Sequence, residues 1–234
     1  MPFSGFFFYK SYLKLYNLIT GWTQKNSILM LTDYGFRRWD MTEEEYIQFI
    51  QPYEDALRSI RVRIEVLNKD YRRKYSNYPI HHIQERIKRK ESAESKLVRN
   101  GHDISAESAR DHLTDVAGIR VICYFVKDIY AVTSLLKKQT DVVIIKECDY
   151  VKTPKQNGYR SCHIVLGVPV YHTDGMEYYP VEIQLRTMSM DLWASMEHRI
   201  CYKNCQKDAK AAEQFKTYAE LLSLMEEEME TYLD

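Results

Sequence analysis

The stretch Tyr178–Arg186 reads YYPVEIQLR. Side chains alternate along a strand, so Val181, Ile183 and Leu185 share one face while Glu182, Gln184 and Arg186 share the other. Three polar groups in a row on a central strand are costly unless they meet water, a metal or a ligand. Taken alone, the pattern suits the solvated open face of a sheet equally well. A second cluster, Asp115-Val116-Ala117-Gly118-Ile119-Arg120, sets an acid just before a strand, a glycine that allows close backbone approach, and an arginine near the strand start. An acid in that place is also a common cap or turn residue. Asp115 and Glu182 together could hold Mg²⁺ jointly with substrate phosphates, because that ion takes one or two carboxylates and completes its shell with water or phosphate oxygen.

The third cluster is the loop Lys155–His163, KQNGYRSCH, which places Tyr159 between cations ahead of a strand. Its His163 falls two residues after Ser161, on the same face. A tyrosine beside Lys and Arg suits stacking on a base while the cations hold phosphates, and a plain surface loop has the same composition. Charge is also uneven along the chain. Arg58–Arg99 carries 13 Lys/Arg against 5 Asp/Glu, whereas Lys207–Asp234 carries 3 against 8, in a protein with 33 of each sign. A basic middle in a balanced chain points to a defined polyanion site rather than to bulk coating of nucleic acid. The part from Arg58 to Lys74 reads as a solvated helix face; Arg86–Arg99 is the better candidate for contact.

These residues need a scaffold. Thr42 with Glu45 makes a capping box, and Pro52 is expected to end or kink the helix that starts there. Leu57, Ile60, Ile64, Leu67 and Tyr71 recur at three and four, predicting a long amphipathic helix to about Tyr75. Further helices are expected at Glu91–Arg99, closed by Asn100-Gly101, and at Ser105–Leu113, Asp128–Lys138, Ser189–Tyr202 and Asp208–Tyr232. Strands are expected at Ile83–Lys88, Gly118–Phe125, Asp141–Lys146, Ser161–Val170 and Tyr178–Arg186, the last two joined through Thr173-Asp174-Gly175. The sum is α+β, a mixed sheet of about five strands with surrounding helices.

Hydrophobic residues at 45% and charged residues at 28% are ordinary for a globular chain. No uncharged apolar run reaches a membrane span of roughly 18–20 residues, and Phe6–Ile19 is interrupted by Lys10 and Lys14. Five cysteines at irregular spacing argue against a disulfide framework and for a cytoplasmic protein with reduced thiols. Residues 1–40 form an extension of unclear role, 41–204 are expected to be the catalytic domain, and 205–234 a carboxy-terminal helix for oligomerisation.

The basic block, DxxGxR, NGYRSxH, VEIQLRT and DLWASxEH follow one another at separations that resemble the small alarmone synthetases, single-domain relatives of the RelA/SpoT synthetases. The resemblance covers about Asn77 to Lys203, and the runs DYVKTPKQNGYRSCH and MDLWASMEH look closest to the RelQ branch within the RelP/RelQ group. It implies a nucleotidyltransferase-like synthetase fold and Mg²⁺-dependent transfer of pyrophosphate from ATP to the 3′-hydroxyl of GDP or GTP, with GMP as a further acceptor, in stringent-response signalling. It implies that Arg86 and Arg120 sandwich adenine and that Lys88, Ser92, Lys96 and Arg99 contact the ATP phosphates. Asp115 and Glu182 would bind Mg²⁺, with Glu182 also the base. Tyr159 would stack on guanine, Asp191 would read it, and Lys155, His163 and Gln184 would line the acceptor side.

The family also implies a homotetramer. Glu85 and Arg89 depart from the common pattern, and Glu85 is expected either to weaken ATP binding or to pair with a cation such as Arg89. His102-Asp103 lacks the partners of a hydrolase metal site, so no hydrolase activity is expected. The alternatives are a toxic-type pyrophosphokinase acting on adenine nucleotides or the 3′ end of tRNA, a regulatory RNA-binding protein, and an inactive oligomerisation scaffold.

Overall fold

The computed structural model describes residues 41–204 and 209–233; the amino-terminal extension lies outside the described residues. Helix α1 (Glu43–Tyr75) opens with the expected capping box: Thr42 Oγ1 accepts from the Glu45 amide at 3.1 Å, and the Glu45 carboxylate accepts from the Thr42 amide at 2.7 Å. It closes at Ser76, whose φ of 54° is left-handed. The helix does not end at Pro52 but runs through it. The carbonyl that Pro52 leaves without a partner belongs to Gln48, an exposed residue. The buried stripe Tyr46, Phe49, Tyr53, Ala56, Leu57, Ile60 and Ile64 continues on both sides of the proline. Tertiary packing of that stripe outweighs the local penalty.

After β1 (Ile80–Ile87) come α2 (Lys90–Arg99), α3 (Ala106–His112) and β2 (Ala117–Cys123). Helix α4 (Val126–Lys137) then crosses to β3 (Val143–Asp149), followed by the hairpin of β4 (Cys162–His172) and β5 (Gly175–Thr187), whose connection is Thr173-Asp174. Helices α5 (Met188–Asn204) and α6 (Ala209–Glu230) and a final 3₁₀ turn end the chain. The sheet order is β1-β2-β5-β4-β3, with β2 and β5 parallel and the other neighbours antiparallel. This is the expected α+β architecture, with every strand a few residues displaced from its sequence-based bounds. Among the described residues no helix is long and apolar enough to cross a membrane.

Strand β5 is the middle of the sheet, and its two faces differ as the alternation demands. Val181, Ile183 and Leu185 are fully buried beneath α1 and α4, whereas Glu182 and Gln184 are only partly covered. The parallel register sets Gly118 beside Glu182 and Arg120 beside Gln184, and antiparallel β4 sets His163 beside Gln184 from the other side. Residues from three distant segments thus meet on one face of the sheet.

Because the stripe and not local propensity holds α1 through Pro52, replacing the partly buried proline restores a backbone hydrogen bond and leaves the stripe intact. Pro52→Ala is expected to raise the unfolding free energy by roughly 1–3 kcal/mol. The urea midpoint should move up with an unchanged slope; an unchanged or lowered midpoint would show that the helix is adapted to the proline.

Candidate active site

Glu182 sits at the centre of a chain of polar contacts. Gln184 Nε2 donates to Glu182 Oε2 at 2.8 Å, and Arg186 Nη2 donates to Gln184 Oε1 at 3.1 Å, so the polar row of β5 is hydrogen-bonded along its length. Arg186 Nη2 also donates to the Tyr159 hydroxyl at 2.8 Å, and that hydroxyl lies 2.8 Å from His163 Nε2. His163 Nδ1 stands 3.7 Å from Glu182 Oε1, beyond hydrogen-bond length, and closes the ring by proximity. The Tyr159 oxygen already accepts from Arg186, so its proton is free for His163 Nε2. The Tyr159 hydroxyl and His163 Nε2 thus share one hydrogen bond, with Nδ1 turned toward the carboxylate. Burial pushes the Glu182 carboxyl up, but His163 and Gln184 more than offset it and hold the group below the usual range, despite the nearby charge of Asp115.

Asp115 lies two residues before β2, between two ammonium groups: Lys88 Nζ donates to Oδ2 at 2.8 Å, and Lys96 Nζ is 2.9 Å from Oδ1. Lys88 is fixed from both ends of its backbone. Its amide donates to the Val116 carbonyl at 2.8 Å, and its carbonyl accepts from the Tyr46 hydroxyl on α1 at 2.5 Å. Lys88, Ser92, Lys96, Arg99 and Asp115 line one open pocket, with Ser92, Lys96 and Arg99 on a single face of α2. Burial raises the Asp115 carboxyl, and the two lysines outweigh it, leaving the group lowered.

The carboxylates suit a divalent ion. Asp115 Oδ1 is buried with no aligned hydrogen-bond donor, its contact with Lys96 being an ion pair only. The charge of Asp115 is felt at Glu182, where it acts to raise the carboxyl. Among the described residues no cluster of three or more His, Cys, Asp or Glu forms a complete metal cage. Two carboxylates without a cage match Mg²⁺ that draws its remaining ligands from water and phosphate.

Arg86 and Arg120 line a second cleft with Gly118, Glu182 and Gln184. A β-carbon on Gly118 would meet Arg86 Nε at 3.4 Å, ordinary van der Waals contact, so the arginine passes directly over the glycine. Glu85 pairs with Arg61 of α1 at 3.0 Å; the cation that holds it is Arg61 and not Arg89. Arg120 Nη1 reaches Asp191 Oδ1 at 3.3 Å, and Arg186 Nη1 donates to the same oxygen at 3.2 Å. Lys155 Nζ lies over the rings of both Tyr150 and Tyr159, at 4.7 and 4.8 Å.

All thirteen residues singled out from the sequence therefore fall on two adjoining regions of one surface. Arg186 and Tyr150 were not among them. Arg186 is 6% exposed and contacts Asp191, Tyr159 and Gln184. The alternation of β5 already placed it in line with Glu182 and Gln184, and that was the available signal. Tyr150 gave none, because only the pairing of β3 with β4 brings it to His163, at a ring separation of 5.4 Å.

A lowered carboxyl contributes stability that is complete above its unfolded pKa and is lost as pH falls through the folded value. The stability gap between the protein and an Asp115→Asn variant is accordingly expected to narrow as pH drops from about 6 toward about 3. A gap that stays constant over that range, by chemical denaturation, would show that the charge of Asp115 is not what the lysines hold.

The family described as "Region found in RelA / SpoT proteins" matches residues 85–207. GTP pyrophosphokinase YwaC of Bacillus subtilis is 38% identical over 187 residues, 80% of this chain and 89% of the relative. GTP pyrophosphokinase YjbM of the same organism is 31% identical over 166 residues, 70% of this chain and 76% of the relative. The crystal structure of small alarmone synthetase 1 from Bacillus subtilis, bound to its product pppGpp, superposes with a TM-score of 0.73 at 29% identity, covering 81% of this chain and 97% of that one. A match that fills more than half of the chain and relatives of this identity and coverage show that the protein belongs to the RelA/SpoT synthetase family.

Proposed function

We propose that the protein is a GTP pyrophosphokinase that makes (p)ppGpp, transferring pyrophosphate from ATP to the 3′-hydroxyl of GDP or GTP, and of GMP as a further acceptor. The observation that carries this reading is the ring around Glu182 set beside the Asp115–Lys88–Lys96 cluster, in a chain of this family. The adenine of ATP is held between Arg86 and Arg120, and the phosphates by Lys88, Ser92, Lys96 and Arg99. Guanine stacks on Tyr159 after Lys155 swings from its ring to the acceptor's phosphates. Asp191 accepts from the guanine N1–H and N2–H₂ edge, which adenine does not present.

The acceptor hydroxyl attacks the β-phosphorus of ATP, its proton passes to Glu182, the bond to the bridging oxygen breaks, and AMP leaves. A carboxyl held below its usual range is ionised at neutral pH and ready to accept that proton. Mg²⁺ bound through Asp115 and Glu182 would neutralise phosphate charge. Lys88 and Lys96, relieved of Asp115, turn to the phosphates, so the reaction is driven mainly by positioning and electrostatics. A homotetramer in the cytoplasm is part of this reading. Leu192 and Met196 of α5, and Leu221 and Leu224 of α6, are exposed apolar residues that support burial against another copy.

Labelled ATP with Mg²⁺, offered GMP, GDP, GTP, ATP and bulk tRNA separately, tests the proposal. Label is expected on guanosine nucleotides only, and chelation of the metal should abolish transfer. Glu182→Gln should lose at least about a hundredfold in turnover while ATP still binds. Transfer to tRNA or to an adenine nucleotide alone would overturn the acceptor assignment, and near-normal turnover of Glu182→Gln would overturn the base.

A further inference from the structure

Helix α6 lies against the back of the acceptor loop along one stripe, Phe215, Ala219, Ser223 and Glu226, spaced as one face of a helix. Trp193 Nε1 of α5 donates to the Phe215 carbonyl at 2.6 Å. Gly158 sits on the helix so closely that a β-carbon there would come within 3.0 Å of Ala219 Cβ and 3.2 Å of Lys216 Cα, and its φ is +91°. Arg160 Nη1 donates to Ser223 Oγ. The two neighbours of Tyr159 in sequence are therefore both held by α6.

Glu226 ends the stripe. It is 6% exposed, and its Oε2 accepts from Thr187 Oγ1 at 2.6 Å and from Ser189 Oγ. Thr187 is the last residue of β5, directly after Arg186, and its Oγ1 also accepts from the Met190 amide at 3.3 Å, next to Asp191. A carboxylate here also meets the positive end of the α5 dipole. The partners of Glu226 thus stand in sequence beside Arg186 and Asp191, and the partners of Ser223 and Ala219 stand beside Tyr159. Arg186 is itself bonded to both Tyr159 and Asp191.

We infer that Glu226 is a positioning residue for the acceptor nucleotide: through Thr187 and Ser189 it locks the β5–α5 joint while the same helix seats the loop, so that Tyr159 and Asp191 are held at the separation that one guanine spans. The inference rests on the functional reading above. It gives α6 a role within each protomer, separate from any part in oligomerisation. The ATP side is reached only at one remove, through Arg120, whose Nη1 lies 3.3 Å from Asp191 Oδ1, so its response is expected to be the smaller.

The test is steady-state kinetics of Glu226→Ala, Glu226→Gln and Ser223→Ala, with amide hydrogen exchange on the loop 155–160. Glu226→Ala is expected to raise KM for the guanosine acceptor about tenfold and leave KM for ATP within about twofold, with Ser223→Ala smaller in the same direction. Glu226→Gln, which keeps an acceptor oxygen for one hydroxyl, should recover much of the loss. Faster exchange is expected at the Lys155 and Gly158 amides, which close the loop's own turn. Equal changes in both KM values, or an unchanged loop, would overturn the inference and leave the synthetase reading standing. If Glu226→Ala does not fold, Ser223→Ala decides by the same split and the same amides. A wild-type protein without transfer to any guanosine nucleotide would overturn the synthetase reading, and the inference with it.

Discussion

The constraint on which the rest depends is that three polar side chains occupy one face of the central strand. Glu182, Gln184 and Arg186 lie in a row on β5, with strands on both sides and an apolar core beneath. Unsatisfied polar groups in such a place would cost several kcal/mol. The row offsets most of this cost by bonding along its own length, Arg186 to Gln184 and Gln184 to Glu182, and then outward to Tyr159 and His163, with Arg186 Nε alone in the row left buried without a partner. The same contacts that make the row tolerable fix the carboxylate, the imidazole and the tyrosine ring in one arrangement. Stability and preorganisation have one source here.

The second region solves a different problem with opposite charges. Asp115 is largely buried, and a lone buried carboxylate would be driven toward protonation. Lys88 and Lys96 keep it ionised, and their two charges exceed its one, which leaves a net positive pocket. Such a pocket is stable without a ligand and attractive to polyphosphate. Arg120 and Arg186 repeat the arrangement around Asp191, where two guanidinium groups share one carboxylate oxygen. Burial, and after it the charge of Arg186, lowers the pKa of Arg120, with Asp191 acting against them.

Much of this was legible in the sequence because it is periodic. The alternation of YYPVEIQLR separates core from site residues, and the three- and four-residue recurrence from Leu57 to Tyr71 gives α1. Thr42 with Glu45 marks that helix's start. Pro52 does not end α1, because that helix is held by tertiary packing that a local rule leaves out. Arg186 was visible in the alternation but was read as part of a row, since nothing in one dimension shows that its guanidinium is buried and shared among three partners. Glu85 pairs with a cation, one of the two outcomes its sequence position allows, but that cation is Arg61, 24 residues away on a helix, and not a sequence neighbour such as Arg89.

The sequence by itself determined which residues carry chemistry and which elements present them, because residue type and spacing along a helix or strand are local properties. Only the tertiary structure decided who meets whom. The parallel pairing of β2 with β5 sets Gly118 and Arg120 beside Glu182 and Gln184, the β3–β4 pairing adds Tyr150, and α6 backs the acceptor loop from the end of the chain. Those juxtapositions depend on sheet order and helix docking, which are fixed by burial of apolar surface over the whole molecule. Burial of that kind leaves no short-range mark at Glu226 or Gly158.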